Sequence, residues 1–238
     1  MSTAEAQPQA QDTGWDASAA AWIADMDGDA EFSRRFILDA PMLARIAGRG
    51  FRNAIDIGCG EGRFCRMMAD IGLATTGIDP SQALITAAKN RHPSGDYHLE
   101  RAEALGFPDA SFDLVVSYLT LIDIADFGLA IAEMVRVLAP GGSLLIANLN
   151  GYHTAWSARA NNADTGYFDE FATWEEWRGI RVRNWHRPLA RYMQLLLGHG
   201  LLLRHFDEPA PTGGDAAKQR RYRQLPQHHL MEWQKPLG

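Results

Sequence analysis

The chain has 238 residues, 46% of them hydrophobic, and a net charge of −6. That length and composition suit one large globular domain with a substantial core; the acidic balance argues against a general polyanion binder while leaving room for a local basic groove. The two cysteines, Cys59 and Cys65, make neither a disulfide framework nor a zinc pattern, and no metal site is expected.

Residues 1–13 are rich in Ala, Gln and Ser without an apolar core, so they read as a disordered tail and not a signal peptide. No run approaches the ~18 apolar residues of a membrane span. With so little cysteine, a cytoplasmic protein is expected. Trp15 and Trp22 open a helical region whose apolar positions include Ile23, Phe32, Phe36, Ile37, Leu43 and Ile46. Asp39 is expected to cap a second helix whose first turn accepts Pro41. These helices either lid the glycine loop that follows or pack on the sheet edge.

From residue 51 the pattern alternates. Strands are expected at 53–57, 73–78, 97–99, 112–117 and 143–148, with helices at 62–70, from Ser81 to Lys89, and at 129–138. Ser81 is a good N-cap. Strands alternating with helices at this interval imply a doubly wound, Rossmann-like α/β fold with a mostly parallel sheet. Residues 150–187 hold eight aromatic rings and no strong period, with Trp174, Trp177 and Trp185 close together. Pro188 opens a helix closed by Gly198 and Gly200; strands follow at 201–206 and 229–235. Only a Pro/Gly/charge-rich loop, 208–227, separates those strands, so they are expected to be antiparallel neighbours. The sheet then has seven strands, with the last antiparallel.

The chemistry gathers at Asp56-Ile57-Gly58-Cys59-Gly60-Glu61-Gly62. A buried strand delivers the chain into a glycine loop, where a ligand can approach the backbone with no Cβ in the way. Asp79 stands 17 residues after Gly62, at the end of the next strand, where an acid meets the two hydroxyls of a ribose. The dinucleotide pattern wants glycine at 63, and Arg63 stands there; the P-loop ending is also absent. Asp56, ahead of the glycines, suits a cationic amine better than a pyrophosphate. An adenosine with a positively charged amino-acid tail describes S-adenosylmethionine.

The sequence resembles the class I S-adenosylmethionine-dependent methyltransferases of the small-molecule, ubiquinone/menaquinone-type group. Four segments carry the likeness across about residues 50–150: 55–62, Gly77-Ile78-Asp79-Pro80-Ser81, Ala102-Glu103-Ala104-Leu105 with 111–117, and Val137-Leu138-Ala139-Pro140-Gly141-Gly142. The resemblance implies that Asp56, Gly58, Cys59, Gly60 and Gly62 cradle the methionine part. Asp79, with Pro80 and Ser81 beside it, takes the ribose. Ala102 and Glu103 border the adenine, and Ser117 and Tyr118 line the site below the methyl group. Three departures stand out. Arg101 replaces an acid often found before the Ala-Glu pair, Leu105-Gly106-Phe107 replaces the usual Leu-Pro-Phe, and Asp123 replaces a frequent His.

The implied reaction is in-line methyl transfer to a small-molecule acceptor, oxygen first and nitrogen or carbon next, leaving S-adenosylhomocysteine. The resemblance makes 14–238 one methyltransferase domain: N-terminal helices at 14–50, a cofactor core at 51–149, an aromatic substrate cap at 150–187, and a C-terminal helix and strands at 188–238. Asp123 and His186 are the candidate bases. Tyr118, Tyr152, Trp185 and His186 are the candidate acceptor contacts. Each has a structural alternative: Asp123 as a helix cap, His186 as a packing residue, Glu103 as a solvated acid, Trp174 and Trp177 as core. The basic run Lys218, Arg220, Arg221, Arg223 reads either as a solvated loop or as a binder of an anionic acceptor. Rival functions are an RNA-modifying methyltransferase, disfavoured by the acidic balance, and a non-catalytic module, which calorimetry with the cofactor would separate.

Overall fold

A computed structural model describes residues 13–27, 32–160 and 164–237. The expected tail, 1–13, lies outside these except for its last residue.

Helix α1, Trp15–Asp27, is followed by a π-helical turn, Arg34–Leu38, that runs directly into α2, Asp39–Ala44. Asp39 therefore caps nothing, contrary to expectation. The chain enters it already helical, and its carboxylate instead accepts from Arg63 and Tyr118, each at 2.9 Å. The alternating region then gives β1 (Asn53–Ile57), α3 (Arg63–Asp70), β2 (Ala74–Asp79), α4 (Gln82–Arg91), β3 (Asp96–Leu99), β4 (Phe112–Tyr118), α5 (Phe127–Val137) and β5 (Leu138–Leu149). Ser81 caps α4, accepting from the Leu84 amide, and Asp126 caps α5 in the same way.

Residues 150–187 are more regular than their sequence suggests. They form α6 (Gly151–Ala160) and a separate hairpin of β6 (Phe171–Trp177) and β7 (Ile180–His186). Ile180, Val182, Asn184 and His186 alternate inward in β7. That period is masked in the sequence because half of its inward positions are polar. The chain ends with α7 (Leu189–Gly198), β8 (Leu202–Asp207), α8 (Ala216–Tyr222) and β9 (His228–Gln234). Helix α8 corrects the expectation of a bare loop at 208–227. It has no buried residue and hence no apolar stripe to read; an Asp215 cap starts it.

The main sheet has the order β3-β2-β1-β4-β5-β9-β8, parallel except for β9, which pairs antiparallel with both neighbours. Both faces are apolar, as a sheet covered on two sides requires. Ile55, Ile57, Val115 and Ile146 face α5 and α7. Ala54, Leu114, Val116 and Ala147 face α2 and α3. Each fully buried Val, Leu or Ile among them contributes roughly 1.5–3 kcal/mol. Buried Glu232 ties the end of α2 to the sheet through Arg45, at 2.6 Å, Arg49, and the Ser143 hydroxyl at 3.0 Å. Strand order reverses between β1 and β4, which opens a crevice at their carboxyl ends. Helix α1 and the hairpin lie over it, sharing a cluster of Ala19, Trp22, Leu84, Ile180 and Val182. No described helix is long and apolar enough to cross a membrane.

Candidate active site

Beyond β1 the chain turns sharply because the amides of Gly58 and Cys59 both donate to the Ile78 carbonyl at 2.8 Å. Gly58 has φ +74°, and a Cβ there would lie 2.2 Å from the Thr120 methyl. Only glycine lets the loop pass so close to the segment after β4. At the tip of β2, Asp79 fixes two turns at once. Its Oδ2 accepts from the Gly60 amide at 3.0 Å and its Oδ1 from the Ser81 amide at 2.9 Å. Burial raises its carboxyl to about 6, against those two hydrogen bonds.

Three cavities meet around this frame. One, of about 300 Å³, is lined by Gly58, Asp79, Pro80, Ser81, Ala102 and Glu103, and is roofed by Trp15, Asp16 and Trp22 of α1. A small one behind the glycine loop is bounded by Asp56, Gly58, Cys59, Arg34 and Tyr118. Burial pushes Asp56 up to about 7, opposed by a hydrogen bond from the Cys65 thiol and by the field of Arg34. Asp56 Oδ1 and Arg34 Nη1 are both buried without a hydrogen-bond partner among the described residues. The third, of about 420 Å³, lies beneath α6, α8 and the hairpin. Trp15, Trp22, Leu119, Asp123 and Trp185 line both large cavities and so form the wall between them. Leu119 holds this corner in a left-handed conformation, φ +57°, a strained geometry for a non-glycine residue. Asp123 accepts from Asn184 at 2.6 Å; burial lifts its carboxyl to about 8, against hydrogen bonds from Trp15 and Asn184 and the field of Arg34.

Residues 55–146 match the model of a family described as a methyltransferase domain. Over that stretch the chain is similar to the methyltransferase-domain family. It is 35% identical over 106 residues to a ubiquinone biosynthesis O-methyltransferase of Bartonella tribocorum, covering 43% of each chain. It is 31% identical over 147 residues to a malonyl-[acyl-carrier protein] O-methyltransferase of Pseudescherichia vulneris, covering 58% of this chain and 59% of that one. The chain thus spans about half the length of the curated relatives it matches. Among solved structures, an S-adenosylmethionine-dependent methyltransferase of Listeria monocytogenes shares the fold, with TM-score 0.72, 24% identity, and 82% of this chain and 95% of that one covered. Another from Mesorhizobium loti gives TM-score 0.67 at 22% identity, covering 88% and 100%.

The site suits S-adenosylmethionine chemically. The unpartnered Asp56 oxygen and Arg34 nitrogen match an amino acid's ammonium and carboxylate. Asp79 keeps spare lone pairs on the wall of the 300 Å³ cavity. Arg34, Trp15, Trp22, Leu119 and Thr120 were not legible as site residues. The seven-residue spacing of the two tryptophans on one helix was the only signal among them.

Some of the expected residues line these cavities and others do not. His186 lines the 420 Å³ cavity, with Nδ1 2.6 Å from the Thr154 hydroxyl and Nε2 2.9 Å from the Tyr167 carbonyl, and burial lowers its pKa. Tyr152 is 61% exposed and stacks on Tyr167, outside all three cavities. Tyr118 borders the small cavity and not the 420 Å³ cavity, and its hydroxyl is donated to Asp39. Ser117 is fully buried in β4 and lines none of the three. Glu103 lines the 300 Å³ cavity while paired with Arg101 at 2.8 Å. Cys59 and Cys65 are buried, and their mutual hydrogen bond and burial hold the Cys59 thiol protonated. Trp185 and Trp177 line the 420 Å³ cavity; Trp174 lies under the Arg181 guanidinium, 4.0 Å away.

Proposed function

We propose that this protein transfers the methyl group of S-adenosylmethionine to a small-molecule acceptor, with oxygen as the first choice of acceptor atom and nitrogen or carbon next. The observation that carries the reading is the shared wall. A cofactor-sized cavity and a second cavity meet at Asp123, Leu119 and three tryptophans, so a donor and an acceptor would lie on either side of one boundary. When bound, S-adenosylmethionine supplies a methyl carbon already activated by its sulfonium.

The chain's part is then alignment and exclusion of water. Asp56 and Arg34 would hold the ammonium and carboxylate, and Asp79 the ribose, while Gly58 leaves room for the backbone to approach. Trp15, Trp22 and Trp185 keep water from the boundary. Asp123 is the proton acceptor in this reading. A carboxyl desolvated to about 8 gains basicity, and its orientation is fixed by Asn184. Two measurements test the proposal together. Calorimetry should detect binding of S-adenosylhomocysteine. Incubation with methyl-labelled cofactor and a metabolite extract should yield a labelled small product. No binding, or label only in RNA, would overturn it.

A further inference from the structure

The acceptor cavity has a second chemical pole, far in sequence from Asp123. Helix α8 places Lys218 and Arg221 three residues apart on one face, and both line the cavity. The helix is held in place by the Asp215 cap, by Tyr222 against Phe32 at 5.0 Å, and by Arg223 donating to the Pro211 carbonyl at 2.8 Å. Neither cation forms an ion pair with a described acid, although the chain as a whole is acidic. Lys218 rests over the Phe32 ring at 5.6 Å, and Arg221 helps to depress the pKa of His153, after burial.

Beside them, His228 is 2% exposed, lines the cavity, and has a buried Nδ1 without a hydrogen-bond partner among the described residues. Burial holds its ring neutral, so it brings hydrogen-bonding capacity without negative charge. The cavity's two acids belong to other elements and are occupied: Asp123 by Asn184, Glu175 by the Thr173 hydroxyl at 2.9 Å. Trp22, Trp177 and Val182 add apolar lining to the same cavity.

Resting on the methyltransferase reading, we propose that the acceptor is an oxyanion with an apolar body, its anionic group bound by Lys218, Arg221 and His228. A carboxylate and a phosphate present the same chemistry to these three groups, and each would leave the opposite end of the molecule toward Asp123. This assigns a ligand to two residues of the basic run, Lys218 and Arg221, and leaves Arg220 and Arg223 outside the cavity.

The test uses the full chain with and without saturating S-adenosylhomocysteine, reading quench of tryptophan fluorescence. The probes are 3-phenylpropanoate, its neutral amide, and phenyl phosphate. The acid or the phosphate should bind more than tenfold tighter than the amide, and the tighter of the two names the source of the oxyanion. Lys218→Gln with Arg221→Gln should remove that preference while leaving amide binding and melting temperature unchanged. Arg220→Gln, on the same helix but outside the cavity, should change nothing. If the double variant misfolds, each single variant should cut anion affinity severalfold. Equal binding of acid and amide, a preference that survives both substitutions, or no saturable anion binding at millimolar concentration would overturn the proposal. Titration of S-adenosylhomocysteine on the same protein separates this from failure of the cofactor reading.

Discussion

Arg34 and Asp56 border one small cavity behind the glycine loop, oppositely charged, yet form no ion pair with each other. Each keeps a buried polar atom unsatisfied among the described residues. Leaving such groups unmade costs about 1–3 kcal/mol each. A ligand carrying both an ammonium and a carboxylate relieves both costs at once.

That arrangement sets opposite expectations for binding and stability. Asp56→Asn should weaken S-adenosylmethionine binding by more than tenfold, roughly the ~1.5–3 kcal/mol of a hydrogen bond to a charged group. It should also raise the melting temperature of the ligand-free protein, since a desolvated carboxylate is gone. Arg34→Met should weaken binding similarly. Calorimetry and thermal melts on the same samples check this; unchanged affinity for both variants would remove the pair from the site.

Asp79 holds two loop amides, from Gly60 and Ser81, while facing the 300 Å³ cavity. Asp79→Asn keeps the shape but turns an amide donor toward one of those N–H groups. Affinity for S-adenosylhomocysteine should fall by more than tenfold (~1.4 kcal/mol), and the melting temperature should fall too. A loss of stability with intact affinity would make Asp79 a loop brace only.

Asp126 caps α5, the role the sequence offered to Asp123. The parallel core and its glycine loop were legible because strands such as β4 and β5 carry apolar runs and their turns carry punctuation, Gly58 to Gly62 and Ser81. The acceptor side was not. Half of the inward residues of β7, Asn184 and His186, are polar, and α8 has no buried stripe at all. Arg34 was invisible for another reason: its partners lie in β1 and β4, and no local spacing announces a contact made through tertiary packing. His186 stands out among aromatics in the sequence and lines the 420 Å³ cavity, but its partners, Thr154 and the Tyr167 carbonyl, are set by the fold.

Asp123 and His186 can be separated by kinetics. Asp123→Asn should lower kcat by ~10²–10⁴, the usual worth of a general base, with S-adenosylhomocysteine binding retained. In the wild type, the rate should rise with pH toward a plateau, with a midpoint at or below about 8, since a bound cation favours the carboxylate. His186→Gln should keep that rising limb and lower the melting temperature. If the limb vanishes in His186→Gln and persists in Asp123→Asn, the assignment is reversed.

The buried carboxyls also set how stability depends on pH. Asp56 and Asp123, raised to about 7 and about 8, stay protonated in the folded protein after the unfolded chain has lost its protons, so stability falls as pH rises through that range. His228 and His229, held down to about 3 and about 4, act oppositely. Below their ordinary value of 6.5 the unfolded chain takes up protons that the fold refuses, so stability falls as pH drops. In that lower window the imidazoles oppose the carboxyls; above it only the carboxyls titrate. The melting temperature of the ligand-free protein should therefore decline from about pH 6.5 to about pH 8.5, and Asp56→Asn or Asp123→Asn should each flatten the decline. Cationic S-adenosylmethionine should restore more stability at the alkaline end than neutral S-adenosylhomocysteine does. Equal protection by the two ligands at every pH would show that these carboxyls do not sense the sulfonium.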